Sequence, residues 1–174
     1  GLGGPESVGQ PNKQGFDTFY GYLCQRVAHN YYPTHLWNNE TKEILQGNES
    51  WFAAHEKLDA PPATYDRFAA KTYAPDLILE EAVDFIDAHA KEPFFLYFAS
   101  TIPHLALQIP DEELAAYPES WDTEPYLGDK GYLPHPRPRA AYAAMITRFD
   151  AEVGAIVKAL KDNNVADNTI IVVT

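Results

Sequence analysis

The chain has 174 residues, 45% hydrophobic and 22% charged, enough for one sizeable domain with its own core. Its formal net charge of -12 leaves no basic patch to neutralise phosphates, which argues against nucleic acid as a partner. No apolar run approaches the roughly 18 residues of a membrane-spanning helix, and the single cysteine, Cys24, cannot form an internal disulfide.

Residues 1–15, GLGGPESVGQPNKQG, are rich in glycine, proline and polar groups and read as loop. Residues 16–37, FDTFYGYLCQRVAHNYYPTHLW, are dense in aromatics without a clear period. Such a stretch is either a packed irregular layer or one wall of a pocket. Residues 38–71 are polar and mixed, hence surface, and carry two N-x-[ST] sequons at Asn39 and Asn48. These matter only if the chain is secreted from a eukaryote. Residues 75–91, PDLILEEAVDFIDAHAK, read as a helix. Pro75 suits its first turn, Asp76, Glu80 and Glu81 favour the positive end of the dipole, and Leu79, Ala82, Val83 and Ile86 form the apolar stripe.

The next segment, PFFLYFAS, is a continuous apolar run bounded by Pro93 and Ser100. Its lack of strict alternation predicts a central strand covered on both faces. Residues 101–137 are loop-rich, with the composition of a short helix at 111–117; Pro134, Pro136 and Pro138 forbid regular structure just before the last helix. That helix, 139–162, shows the clearest period, with Tyr142, Met145, Ile146, Phe149, Val153, Ile156, Val157 and Leu160 at helical spacing. Asn163-Asn164 ends it, and NTIIVVT follows as a second buried strand. Strand, helix and strand together predict a right-handed βαβ crossover in a parallel sheet. Gly1 stands where no initiator methionine does, and TIIVVT stops without a turn. The expectation is an internal piece of a longer protein.

Ligands of open α/β sheets bind beyond the carboxyl ends of the strands. STIPHLALQIP leaves that end of the 94–99 segment, and Pro103 stiffens the exit. His104 is thereby presented at the functional edge. There it either handles a proton or an anionic oxygen, or it is a hydrogen-bonded loop histidine. His29 and His35, six apart with Pro33 between them, do not make a metal site without a third ligand. His55 and His89 read as solvated and His135 as a surface loop residue. No phosphate-binding glycine loop or G-x-S-x-G elbow is present.

Three blocks, KQGFDTFYGYLCQRVAHNYYPTHLW, PFFLYFASTIPHLALQIPDEEL and RAAYAAMITRFDAEVGAIVKALKDNNVADNTIIVVT, resemble in order the middle of the catalytic domain of the formylglycine-dependent sulfatases. The resemblance covers nearly the whole chain. It implies an α/β fold, part of an alkaline-phosphatase-like sandwich with a parallel or mixed sheet flanked by helices. It also implies hydrolysis of sulfate esters by a formylglycine hydrate, with a divalent cation, usually calcium, neutralising the sulfate oxygens. The family's P-H-x-x histidine matches His104, which makes it the expected catalytic residue at the sulfate. The aromatic block makes His29, His35 and Trp37 expected substrate-binding residues. A sulfated small molecule or carbohydrate is the implied partner, and a periplasmic or extracellular location the implied compartment.

The departures define what residues 1–174 would be: the central portion of a sulfatase catalytic domain, truncated at both ends. The C/S-x-P-S-R motif is absent, and Cys24, in YLCQR, lacks its proline and arginine. The early aspartate pair is absent, and the later Asp-Asn pair would follow VVT directly. GLG matches the end of a Lys-Trp-x-Leu-Gly block, with Gly1 where many members have histidine. No metal ligands are therefore expected in these residues, and they alone would be inactive. Two other readings stand beside this one: a phosphatase or phosphodiesterase of the same superfamily, and a non-catalytic carbohydrate-binding or interaction module carried by the aromatics of 16–37.

Overall fold

The computed structural model describes residues 4–49 and 55–174. The GLG remnant at Gly1–Gly3 and Ser50, which completes the second sequon, lie outside the described residues. Strands β1 (Tyr20–Gly21), β2 (His35–Asn38) and β3 (Thr41–Ile44) form an antiparallel sheet in the order β1-β2-β3. Side chains alternate across a strand. Leu36 therefore turns into a core with Leu45 and Ala74, while His35 and Trp37 share the other face. The β2–β3 hairpin turns through Asn39, whose φ of 54° is tolerated better by asparagine than by most residues.

Both sequon asparagines are structural ties. Asn39 Oδ1 accepts from the Phe19 N–H and from Asn12 Nδ2, each at 2.9 Å. Asn48 is buried; its Nδ2 donates to the carbonyls of Pro33 (2.9 Å) and Thr72 (2.7 Å), so both amide hydrogens are committed.

Helices α1 (Ala74–His89), α2 (Asp111–Leu114) and α3 (Pro138–Asp162) supply the remaining regular structure. The two long ones begin with proline in the first turn, where its missing N–H costs nothing. Asp122 caps α3 from outside, its carboxylate accepting from the N–H groups of Arg139 (2.7 Å) and Ala140 (3.1 Å). Arg148 on α3 pairs with Asp76 on α1 and Glu113 on α2, clamping the three helices. The main core joins Tyr31, Tyr32 and Tyr73 to Ile102, Leu107, Ile109, Leu114 and the Ala140–Met145 face of α3. Met145 and Ile86, both fully buried, each contribute on the order of 2 kcal/mol through burial. The apolar face of α3 is narrower than its period predicts. Tyr142 and Ile146 are exposed, while Ala140, Ala141, Ala144 and Glu152 are buried.

The two apolar segments expected as central parallel strands do not form a ladder among the described residues. Residues 94–99 run extended with alternate side chains covered. Phe94 and Leu96 pack with Ile86, Ala159 and Leu160, whereas Phe95 and Tyr97 are 73% and 69% exposed. Ile170 in the last segment is 93% exposed. An extended backbone becomes a strand only when a neighbour takes its N–H and C=O groups, and no described residue does so. The class remains α/β, with helices over a small antiparallel sheet in place of the expected parallel crossover.

Candidate active site

The 94–99 segment runs into a loop that is irregular yet densely tied. Ile102, Ala106, Leu107 and Ile109 point into the core. The buried Tyr31 hydroxyl shares its one proton between the carbonyls of Thr101 (2.8 Å) and His104 (2.6 Å), and the His104 N–H closes a turn on Thr101 O at 3.1 Å. Beyond the loop, Gln108 Oε1 accepts from the Tyr31 N–H at 2.7 Å, and its Nε2 donates to Phe68 O at 2.6 Å and Asn30 Oδ1 at 3.4 Å. The loop backbone is thus fixed while the His104 ring stays exposed.

Its tautomer follows from its partner. His104 Nδ1 contacts the Leu105 carbonyl, which can only accept, so Nδ1 carries a proton. Nε2 is left with no partner among the described residues, free to take up or deliver a proton.

His104 is not alone. The 3₁₀ turn Val27–His29 brings the His29 ring parallel to it, with centroids 5.1 Å apart and 3° between planes. His55 lies edge-on to His29 at 5.4 Å, and Tyr132 packs against all three rings, at 5.2, 4.8 and 5.6 Å from His29, His55 and His104. His29 Nδ1 and His55 Nε2 are 3.3 Å apart. Burial, followed by repulsion from His104 and His55, lowers the His29 pKa below the ordinary histidine value.

That 3.3 Å spacing would suit two ligands of one tetrahedral metal, but the bonding does not. The Tyr132 N–H donates to His55 Nδ1 at 2.8 Å, so the ring proton of His55 sits on Nε2, the nitrogen that would have to ligate. Among the described residues no group of three His, Cys, Asp or Glu side chains is arranged to hold a metal ion.

His35 and Trp37 sit elsewhere. Their rings meet edge-to-face at 5.8 Å on β2 and line a cavity of about 160 Å³ with Tyr22, Leu23, Cys24 and Val27. Burial lowers the His35 pKa, with Lys42 adding to the effect. Cys24 is a free, exposed thiol. Of the expected substrate-binding residues, His29 thus faces His104, whereas His35 and Trp37 form a second wall at the other end of the same turn. The 16–37 stretch is therefore both things its composition allowed: Tyr31 and Tyr32 are core, and Tyr22 and Trp37 line the cavity.

Several polar residues read as bland are not. His55 is exposed, as read, and is also tied to the Tyr132 N–H. His135 is shielded by a β-bridge with Tyr126 and accepts from the Arg137 N–H at 3.0 Å; burial brings its pKa down to about 4. Beneath the loop, Glu152 of α3 is 1% exposed and accepts from Ser100 Oγ at 2.8 Å, while its Oε1 has no partner among the described residues. Burial pushes this carboxyl up to about 7, against the opposing pull of Ser100 and Arg148.

Residues 4–174 match the sulfatase family model. The chain is 28% identical over 168 residues to the uncharacterized sulfatase YdeN of Escherichia coli (strain K12), an alignment spanning 95% of this chain and 23% of that protein. It is 30% identical over 165 residues to human N-acetylgalactosamine-6-sulfatase, spanning 94% of this chain and 26% of that protein. It also resembles the crystal structure of Ps i-CgsB in complex with k-i-k-neocarrahexaose, with a TM-score of 0.61 and 28% identity over 93% of this chain and 32% of that one. The chain thus spans about a quarter of the length of the curated relatives it matches.

Proposed function

Since the chain belongs to the sulfatase family, we propose that the protein carrying it is a sulfuric ester hydrolase and that His104 acts at the sulfate. The observation that supports this most is the His104 ring itself: exposed, held through Nδ1–H on the Leu105 carbonyl, with Nε2 unengaged. A protonated Nε2 gives its proton to the bridging oxygen as the S–O bond breaks, so the alcohol leaves neutral rather than as an alkoxide. The same nitrogen, once deprotonated, accepts a proton from the group that restores the enzyme.

The described residues do not fit the divalent cation of this family. Residues 1–174 are taken as the central portion of the catalytic domain, with calcium ligands and a formylglycine nucleophile supplied elsewhere in the protein. The substrate class is a sulfated carbohydrate. The support is the aromatic wall of Tyr22 and Trp37, suited to the apolar face of a sugar ring, together with the oligosaccharide complex of the structural neighbour. Export to the periplasm or beyond fits the family; no described helix is long and apolar enough to cross a membrane.

The test is release of inorganic sulfate by the intact protein from an aryl sulfate and from sulfated hexose oligosaccharides. Sulfate release from either supports the hydrolase, and faster turnover of the oligosaccharide supports the substrate class. Release of phosphate from the matching phosphate esters with none of sulfate would move the enzyme to the phosphatase branch. Release of neither would return the chain to the non-catalytic reading.

A further inference from the structure

The backbone around Tyr132 is built to hold His55. Glu56 N–H bonds Tyr132 O at 3.2 Å and Leu58 N–H bonds Leu127 O at 2.8 Å, lacing residues 55–58 to the 127–132 turn. That turn is strained. Gly128 has φ of 81°, and a Cβ there would fall 1.8 Å from the Glu56 carbonyl oxygen, so only glycine fits. Tyr132 itself has φ of 67°, an outlier for a bulky residue. The outcome of this geometry is a single N–H, that of Tyr132, aimed at His55 Nδ1.

A backbone N–H cannot change roles, so it fixes a series of protons. His55 Nδ1 gives its lone pair to Tyr132, and its proton sits on Nε2. His55 Nε2–H then faces His29 Nδ1 at 3.3 Å, which must accept. The proton of His29 is left on Nε2, where it has no partner among the described residues. His104 is set the opposite way, as a Nδ1–H donor to Leu105 with Nε2 open. Two stacked imidazoles thus carry different assignments: a fixed donor on His29 and a proton-exchanging nitrogen on His104. Burial, with the neighbouring His104 and His55 rings adding to it, lowers the His29 pKa, in keeping with a neutral His29.

We infer that His55 is a positioning residue which, through Tyr132, holds His29 as a fixed Nε2–H donor to an oxygen of the sulfated substrate beside the His104 proton shuttle. This rests on the sulfatase reading above. No redox step or additional reactant is involved; only one hydrogen bond forms.

The test uses the intact protein with ¹⁵N-labelled histidine, His29 being assigned by its loss in His29→Gln. At neutral pH the wild-type spectrum is expected to show His29 with a bare Nδ1 and a protonated Nε2. In His55→Phe, which keeps a ring against Tyr132 but removes both hydrogen bonds, His29 is expected to become a tautomer mixture. KM for the sulfated substrate should then rise about 3- to 10-fold, with kcat within about twofold, as befits one lost oriented hydrogen bond. His55→Gln, which keeps an acceptor and a donor at similar spacing, should restore both readouts. A wild-type His29 protonated on Nδ1 overturns the inference whether or not His55→Phe folds. So does His55→Gln behaving like His55→Phe. An intact protein that releases no sulfate while His29 keeps its Nε2–H tautomer refutes the reaction and supports the tautomer chain, so the two failures are distinguishable.

Discussion

The 3₁₀ turn Val27–His29 has two unlike neighbourhoods at its ends. At His29, three imidazoles and a tyrosine pack ring on ring, with His55 held by the Tyr132 N–H and His104 by the Leu105 carbonyl. At Val27, the turn lines a small cavity with Tyr22, Leu23, Cys24, His35 and Trp37, where faces rather than protons are on offer. Proton transfer needs an atom at a defined place in a defined state, whereas ring binding needs area and shape. One segment can present both neighbourhoods because its backbone is locked into the core by Tyr31 and Tyr32 immediately after it.

The sharpest way to break the contrast is His104→Ala in the intact protein. We expect kcat for sulfate release to fall by about 10²-fold or more, the usual scale of lost general acid catalysis; an unchanged kcat removes His104 from the chemistry. Next comes the carboxyl beneath the loop. Glu152 carries a native pKa of about 7 against an ordinary value of 4.5. Its protonated form is favoured by the fold, so the cost is absent below pH 4.5, grows between 4.5 and about 7, and is complete above that. Glu152→Gln should therefore raise unfolding stability at pH 8 by on the order of 2 kcal/mol and change it little at pH 4. Denaturant melts at the two pH values check this, and an equal effect at both would refute it.

At the other end of the turn, Trp37→Ala should raise KM for a sulfated oligosaccharide about 5-fold while kcat stays within about twofold, on the scale of one lost aromatic contact. A matching loss in kcat would merge the two neighbourhoods into one. The smallest effect is expected at Cys24, an exposed thiol without the residues of a nucleophile motif. Cys24→Ser should leave sulfate release within about twofold; an inactive variant would relocate the nucleophile.

The two long helices were legible because a helix satisfies its own backbone and displays its period in its own residues: 75–91 became Ala74–His89, and 139–162 became Pro138–Asp162. The segments 94–99 and 169–174 were legible as extended but not as strands of this chain, since pairing belongs to a neighbour. His104 could be found because Pro103 and the apolar run before it announce a stiff exit. His55 could not. Its place depends on Gly128 passing under the Glu56 carbonyl and on the left-handed Tyr132, more than 70 residues away along the chain. The glycines of GDKGY signal a turn; nothing in them signals what the turn holds. Glu152 was hidden too, because its burial comes from which side of α3 meets Ser100.

The buried amide of Gln108 ties Asn30 and Tyr31 to Phe68, and its own carbonyl accepts from the Tyr73 hydroxyl at 2.9 Å. These segments are 35 to 78 residues from it in sequence. None of them can open alone without stranding a buried donor or acceptor, so they behave as one cooperative unit. The stacking of His29 on His104 sits on this knot, since Asn30 and Tyr31 follow His29 and the Tyr31 hydroxyl holds the His104 carbonyl. A fluctuation that dissolves this knot therefore loosens both backbones that present the histidine pair.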